Sequence, residues 1–169
     1  MNDRHLVGEP FSRPLWVINA LLDEHKRYLM AIETEMLEFY ERCKRERKQR
    51  YLEICERYGK KCAKSKFVVI YHNTKGYPSL GWGKFKYYRG KRSKFPHRIS
   101  NVGLTYNLGT IRAGAHPDEI DLIDAHEIQA RRLRAVQKGG LELGRLLKRE
   151  HAAAQRLADL WGDPMIQRA

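Results

Sequence analysis

Basic and aromatic side chains are interleaved in the centre of the sequence, where together they could bind a polyanion. The 61 residues from Arg57 to Pro117 contain 14 Lys or Arg and no Asp or Glu, so this acid-free segment carries a charge of +14. The same segment holds ten of the chain's 17 aromatic residues. Basic groups neutralise phosphates, and aromatic faces stack on unpaired bases or pack along sugars. The composition therefore indicates nucleic acid as the ligand.

The candidate contact residues lie in the middle of this segment. Strict alternation along residues 80–88 would place Lys84 and Lys86 on the same side of a strand as Trp82 and Tyr88. The residues that we predict to contact phosphates are Lys84, Lys86, Arg89, Lys91, Arg92, Lys94 and Arg98. Those that we predict to pack on bases or sugars are Trp82, Tyr87 and Tyr88. Strands favour aromatic residues in any case, so some of these three are expected in the core instead.

The rest of the chain has an ordinary balance of charge. The whole sequence of 169 residues has a net charge of +13, whereas the 108 residues outside the acid-free segment carry 19 basic and 20 acidic groups. A balanced frame that presents a basic insert is typical of a polyanion-binding protein. An anionic membrane surface fits less well, because no basic amphipathic helix carries the charge.

Residues for metal-dependent catalysis are missing from the basic segment. Nucleases that use Mg²⁺ need carboxylates, and the pair Asp118-Glu119 is better explained as a partner of a helix N-terminus. His72 and His97 stand alone, and His126 lacks a second His four residues on, so neither a paired-histidine site nor a zinc-protease motif is present. We therefore predict no enzyme activity, no catalytic residue, no metal site and no cofactor.

Three segments must position the candidate contacts. Apolar residues spaced by three, four and seven predict an amphipathic helix over residues 14–58, with a bend possible near Arg47 and a stop at Gly59. Residues 66–112 predict an antiparallel meander of three or four strands, with the third at 95–102 and residues 104–112 either a fourth strand or a loop. We expect one face of this sheet against the helices and the other face to be basic.

A second helical segment over residues 117–161 completes the predicted fold. Gly139-Gly140 and the nearby Gly144 predict a kink or a break within it. The order of helix, small sheet and helix predicts an α+β fold, in which the long C-terminal helix packs on the first and residues 1–169 form a single domain.

The first helix also carries a coiled-coil-like repeat. Its two series of seven-residue spacings are Leu15, Leu22, Leu29, Met36 and Cys43, and Ile18, His25, Ile32 and Phe39. Such a seam predicts a homodimer through this helix. An equally good interpretation is that the C-terminal helix of the same chain covers the stripe.

The sequence predicts a cytoplasmic protein with no membrane partner. No apolar run approaches the roughly 20 residues that a membrane span needs. Residues 1–14 lack a basic region followed by an apolar stretch, so we expect no signal peptide. The three cysteines, Cys43, Cys55 and Cys62, do not form the even set of a secreted disulfide framework.

The arrangement of motifs resembles one known family. Terminal helices flank the run Leu80-Gly81-Trp82-Gly83-Lys84-Phe85-Lys86-Tyr87-Tyr88, which is followed by Tyr106-Asn107-Leu108 and by a helix with Glu127 and Arg131-Arg132-Leu133-Arg134. This resembles the auxiliary mobilization proteins of integrative conjugative elements and related conjugative plasmids. The resemblance implies a relaxosome accessory protein that binds the origin of transfer, while a separate relaxase nicks the DNA. It carries over no catalytic residue.

The leading hypothesis is thus a non-enzymatic DNA-binding accessory protein, with double-stranded DNA and a relaxase or another transfer protein as partners. An RNA-binding or ribosome-associated protein is the alternative from another class, because small basic sheets with exposed aromatics also bind single-stranded RNA. A DNA-nicking enzyme that uses Tyr87, Tyr88 or Tyr106 as nucleophile is a further alternative. A transcriptional repressor is disfavoured by the lack of a helix-turn-helix pattern.

Overall fold

A computed structural model describes residues 15–59, 65–74, 76–89 and 91–161. The elements in chain order are α1 (Leu15–Tyr58), β1 (Phe67–Thr74), β2 (Tyr77–Lys84), β3 (Tyr87–Tyr88), β4 (Lys91–Arg92), β5 (His97–Arg98), α2 (Leu108–Ala113), a 3₁₀ turn (Pro117–Glu119) and α3 (Ile120–Trp161). The predicted α+β class, with long terminal helices around a central antiparallel sheet, is confirmed.

The sheet has three antiparallel strands in the order β1-β2-β5, and β3 and β4 form a separate hairpin inserted between β2 and β5. Val69 pairs with Trp82 and Tyr71 pairs with Leu80, so these four side chains share one face. That face packs on the helices: the Tyr71 hydroxyl donates to the Glu33 carboxylate of α1 at 3.1 Å. The apolar, β-branched sequence of β1 is therefore explained by burial against α1 and α3.

The other face of the sheet is largely closed by its own loops. A Cβ at Gly81 would lie 2.6 Å from the Tyr106 Oη, and one at Gly83 would lie 2.9 Å from the Pro96 Cβ. Both glycines are needed because the returning chain passes directly over β2. The prediction of an open basic face is therefore wrong.

The predicted continuous alternation over residues 80–88 is also wrong, because β2 ends at Lys84. The Phe85 N–H donates to the Lys66 carbonyl at 2.8 Å, and the Ser93 N–H donates to the Lys86 carbonyl at 2.7 Å. The chain leaves the sheet between these bonds and begins the β3–β4 hairpin. As a result, Tyr88 does not share a strand with Trp82.

The C-terminal part of the predicted β segment folds differently. Residues 108–113 form helix α2 rather than a fourth strand, since the Asn107 side chain accepts from the Thr110 N–H at 3.2 Å and Gly114 ends the helix. This cap, together with complete burial of Ile111, outweighs the strand preference of Thr and Ile. The predicted strand at 95–102 is reduced to His97–Arg98.

Both long helices are continuous. The 44 residues of α1 are not divided into two helices near Arg47, and the 42 residues of α3 are not interrupted at Gly139-Gly140, so the predicted break is wrong. A kink at these glycines stays a prediction. Gly59 has a φ of +83°, which confirms it as the stop after α1. Pro14, the predicted first residue of this helix, lies outside the described residues.

The chain divides into two compact units, residues 1–29 with 139–169 and residues 30–138. In the first unit, the buried His25 Nε2 donates to the Gly140 carbonyl at 2.7 Å. A Cβ at Gly144 would lie 2.5 Å from the His25 Cε1, so this glycine makes room for the imidazole. The second unit contains the sheet, α2 and the adjoining parts of α1 and α3. The single-domain assignment stays a prediction.

The seven-residue stripe of α1 is mostly buried within one chain. Ile18, Ile32, Met36, Phe39 and Cys43 are at most 4 % exposed. Leu15, Leu22 and Leu29 of the same stripe are half-buried, so packing within one chain accounts for most of the stripe but not for all of it. A homodimer through α1 stays a prediction.

Candidate nucleic-acid interface

The predicted contacts concentrate in the segment from Lys84 to Arg98, which we call the basic hairpin segment. Its base is formed by the pairs Lys84–His97 and Gly83–Arg98 between β2 and β5. Above this base, Tyr87 pairs with Arg92 and Tyr88 pairs with Lys91. The two-residue turn between Tyr88 and Lys91 contains Arg89, whose φ of +49° matches the left-handed backbone that such tight hairpin turns need.

All seven predicted phosphate contacts are exposed, namely Lys84, Lys86, Arg89, Lys91, Arg92, Lys94 and Arg98. Among the described residues, none of them forms an ion pair with an acid. The segment is therefore a concentrated source of uncompensated positive charge.

The cations surround the hairpin instead of lining one face. Consecutive residues of a strand point to opposite faces, so Lys91 and Arg92 lie on opposite sides of the ribbon. Lys84 and Arg98, which are one register position apart, lie on opposite faces of the sheet for the same reason. A ligand that contacts all seven would have to surround the ribbon or admit it into a groove.

Aromatic rings support several of these cations. The Arg92 guanidinium lies 3.5 Å from the centre of the Phe85 ring, and the Lys94 Nζ lies 5.4 Å from that of Phe95. Such cation–π contacts hold a charged head in place without neutralising it. Burial lowers the pKa of the Arg47 guanidinium; Glu119 opposes this shift, and the positive charge of Arg92 adds to it by a smaller amount.

The three predicted aromatic contacts have different positions. Tyr87 is 49 % exposed and available to a ligand. Tyr88 has its backbone in β3, and its side chain lies outside the described part of the structure. Trp82 is completely buried, and its indole Nε1 donates to the Glu127 carboxylate at 2.8 Å. Trp82 is therefore a core residue, because the helix-facing side of β2 carries it inward.

A buried polar cluster around Glu127 ties the sheet to α3. Glu127 is 4 % exposed and also accepts from the Arg134 Nη2 at 2.6 Å. Arg134 donates to the Leu104 carbonyl from Nε at 2.9 Å, and its guanidinium lies 5.0 Å from the centre of the Tyr106 ring. The cluster fixes β2 and the loop before α2, and sequence reasoning missed it. The only signal was an opposite-charge pair seven residues apart on one helix face.

Sequence reasoning also did not single out Phe95, which is 70 % exposed within the basic hairpin segment. Phe95 begins the strand predicted over residues 95–102, and no alternation of apolar and polar residues distinguishes it there. A Lys-Phe-Pro run in an acid-free segment was the available clue.

The residues considered for catalysis do not come together. The described residues contain no group of three or more His, Cys, Asp or Glu that could hold a metal ion. Tyr106 is 6 % exposed, so its hydroxyl is shielded from a macromolecular substrate. His126 is buried and its Nε2 lies 2.7 Å from the Glu46 carboxylate on α1. Burial lowers the pKa of His126, although Glu46 acts in the opposite direction.

No protein-family model matches this chain, and no curated protein or solved structure does so either. The resemblance to auxiliary mobilization proteins therefore stays a prediction. Within the described residues, neither long helix contains a stretch apolar enough to cross a lipid bilayer.

Proposed function

We propose that the protein is a non-enzymatic, cytoplasmic DNA-binding protein that contacts duplex DNA through the basic hairpin segment. One observation carries the proposal: seven exposed cations lie within this segment, and no described acid pairs with any of them. Cations held close together repel one another, and a polyanion relieves that repulsion when it binds.

The shape of the basic hairpin segment favours duplex DNA over a single strand that lies across the face of a sheet. Two-stranded ribbons enter the major or the minor groove of duplex DNA, where the phosphates of both strands flank them. Cations on both sides of the β3–β4 ribbon suit that position. A single strand of RNA would instead be expected to lie across an open sheet face with exposed aromatics, and here Tyr106 and Pro96 cover that face.

Action at an origin of transfer is a more specific proposal, which only the resemblance to auxiliary mobilization proteins supports. In that role the protein would recognise or remodel the origin duplex, and a separate relaxase would carry out the nicking. Selection of bound fragments from a conjugative element tests it: enrichment of one transfer-origin region is expected, and enrichment of unrelated sequences would contradict it.

The binding experiment is fluorescence anisotropy with matched duplex DNA, single-stranded DNA and RNA over a series of salt concentrations. We expect the duplex to bind most tightly, with an affinity that falls steeply with salt, by a logarithmic slope of about 0.9 for each phosphate contacted. Tighter binding to RNA would favour the RNA-binding alternative. Weak binding to all three ligands at low salt would contradict the proposal.

Charge reversal locates the interface. Lys84→Glu with Lys86→Glu should weaken duplex binding by more than about tenfold and reduce the salt slope by about two. The matched control is Arg145→Glu with Lys148→Glu, which changes the same charge at two exposed positions of α3. Equal losses in the two variants would show that only net charge matters and would contradict the assignment of the interface.

A further inference from the structure

Phe95 is an exposed aromatic residue for which the fold has no evident use. Its side chain is 70 % exposed, compared with 49 % for Tyr87 in the same segment. The Phe95 ring contacts its own neighbour Lys94, whose Nζ lies 5.4 Å from the ring centre. Single exposed apolar residues are common on protein surfaces. Phe95 differs because it lies among the seven exposed cations of the basic hairpin segment, so a ligand that binds these cations would also meet its ring.

The backbone holds Phe95 firmly although its side chain is exposed. The Ser93 hydroxyl donates to the Phe95 carbonyl at 2.9 Å. On the other side, Pro96 packs over Gly83, and His97 begins the pairing with Lys84 of β2. The ring is thus presented from a fixed point at the base of the hairpin, which lowers the entropy lost when it inserts into a ligand.

The surroundings of Phe95 select the chemistry of that ligand. The basic hairpin segment holds seven cations and no acid, so the ligand must be negatively charged next to an apolar surface. Stacked base pairs between two phosphate backbones have both properties. Apolar side chains such as Phe and Pro insert between base steps in proteins that bend DNA, at the cost of partial unstacking.

We propose that Phe95 inserts as a wedge between two base pairs of duplex DNA and bends it, while the neighbouring cations hold the phosphates on either side. This inference rests on the proposed function, because it requires that the basic hairpin segment binds a duplex. It adds an activity, the deformation of DNA, and a residue responsible for it.

The test combines two fluorescence measurements on the full-length protein. A duplex with 2-aminopurine in its centre reports unstacking, and dyes at the two ends of a short duplex report bending by energy transfer. The wild-type protein should raise the 2-aminopurine signal and bring the ends closer. Phe95→Ala should lose both effects and bind about tenfold more weakly, with an unchanged salt slope because no phosphate contact is removed.

Two further variants control the test. Phe95→Leu keeps an apolar wedge and should retain most of the bend. Tyr77→Ala removes a ring that is 61 % exposed at the far end of the eight-residue strand β2 and should behave like the wild type. Both replaced side chains, Phe95 and Tyr77, are exposed, so we expect the thermal transition of each of the three variants to match that of the wild type.

The outcomes separate this inference from the function on which it rests. Duplex binding by the wild type with no bend, or with a bend that survives in Phe95→Ala, overturns the wedge and leaves DNA binding in place. A 2-aminopurine response confined to single strands also overturns the wedge. Failure of the wild type to bind any duplex at low salt overturns the proposed function, and the wedge falls with it.

Discussion

Most cations of helix α1 and those of the basic hairpin segment are the same residue types in opposite electrostatic situations. Seven cations of α1 lie 2.8–3.9 Å from a carboxylate oxygen, namely Lys26, Arg27, Arg42, Lys44, Arg47, Arg50 and Arg57. None of the seven cations of the basic hairpin segment has such a partner among the described residues.

The difference shows what each region contributes. A pair of opposite charges cancels at a distance, so α1 projects little field, and its exposed pairs contribute about 0–1 kcal/mol each to stability. Cations without an acidic partner contribute little to the fold beyond their contacts with aromatic rings, but they attract an anion from solution. We therefore expect stability to depend on the paired and buried groups and ligand binding to depend on the unpaired ones.

The largest expected effect on stability is at the buried pair of Glu127 and Arg134. Glu127→Ala leaves the Arg134 guanidinium buried without its carboxylate, and we expect the free energy of unfolding to fall by about 3–5 kcal/mol. Urea denaturation followed by circular dichroism measures this. Glu24→Ala, which breaks the exposed pair with Arg27, is the control and should cost less than about 1 kcal/mol. Equal losses in the free energy of unfolding for the two variants would show that the buried pair stabilises the fold no more than the exposed pair does.

The next effect concerns two glycines of α3. Gly144→Ala places a methyl group 2.5 Å from the His25 Cε1, so we expect a loss of about 1–3 kcal/mol. Gly139→Ala meets nothing within 4 Å, and the better helix propensity of Ala should stabilise it by about 0.5–1 kcal/mol. Thermal unfolding of the two variants measures the contrast. A gain in both would show that His25 can move aside at no cost.

A smaller effect is expected from pH. His126 has its pKa lowered from 6.5 by burial, so the unfolded chain takes up a proton at a higher pH than the folded protein does. The contribution of neutral His126 to stability is present above about pH 6.5 and decreases as the pH falls toward its folded pKa. Its Nδ1 has no hydrogen-bond partner among the described residues, so a proton there would be buried without an acceptor. Unfolding at several pH values should show a shallower slope in His126→Gln, and an unchanged slope would contradict this role.

The smallest effect on stability is predicted where the effect on binding is largest. Lys84→Glu with Lys86→Glu should change the free energy of unfolding by less than about 1 kcal/mol, because both side chains are exposed and have no ion pair among the described residues, and only the contact of the Lys84 Nζ with the Phe67 ring, 5.6 Å from its centre, is lost. Thermal unfolding of the pair variant measures this. A loss of several kcal/mol would mean that the basic hairpin segment supports the fold, and the comparison between the two regions would fail.

Local patterns in the sequence were sufficient to predict most of the fold. The apolar spacing of α1, the β-branched run of β1 and the stop at Gly59 each depend on residues close together in the chain. The prediction of either a fourth strand or a loop over residues 104–112 missed helix α2, because the Asn107 cap and the burial of Ile111 decided the structure there. The glycines of α3 were misinterpreted because their role depends on His25, more than a hundred residues away.

In the candidate site, too, the features that local composition decides were predicted and those that depend on distant residues were not. The exposure of the seven cations followed from composition, since a charged side chain is rarely buried without a partner. The place of Trp82 depended on where β2 ends and on its hydrogen bond to Glu127, which is 45 residues further along the chain. Such long-range pairings leave no local periodicity, and a single sequence does not show them.

Lys84 and His97 pair where the chain leaves the three-stranded sheet and returns to it, so the segment between them can be replaced as a unit. Antiparallel partners lie about 5 Å apart, so the two ends of residues 85–96 are close enough to be joined by a tight turn. The Ile99 N–H still donates to the Trp82 carbonyl below this point, at 2.9 Å, and keeps β5 on the sheet. The ribbon is thus an exchangeable loop, provided that Phe85 keeps its bond to Lys66 and Pro96 its contact with Gly83. A different ribbon between Phe85 and Pro96 would give the same helices and sheet a different ligand.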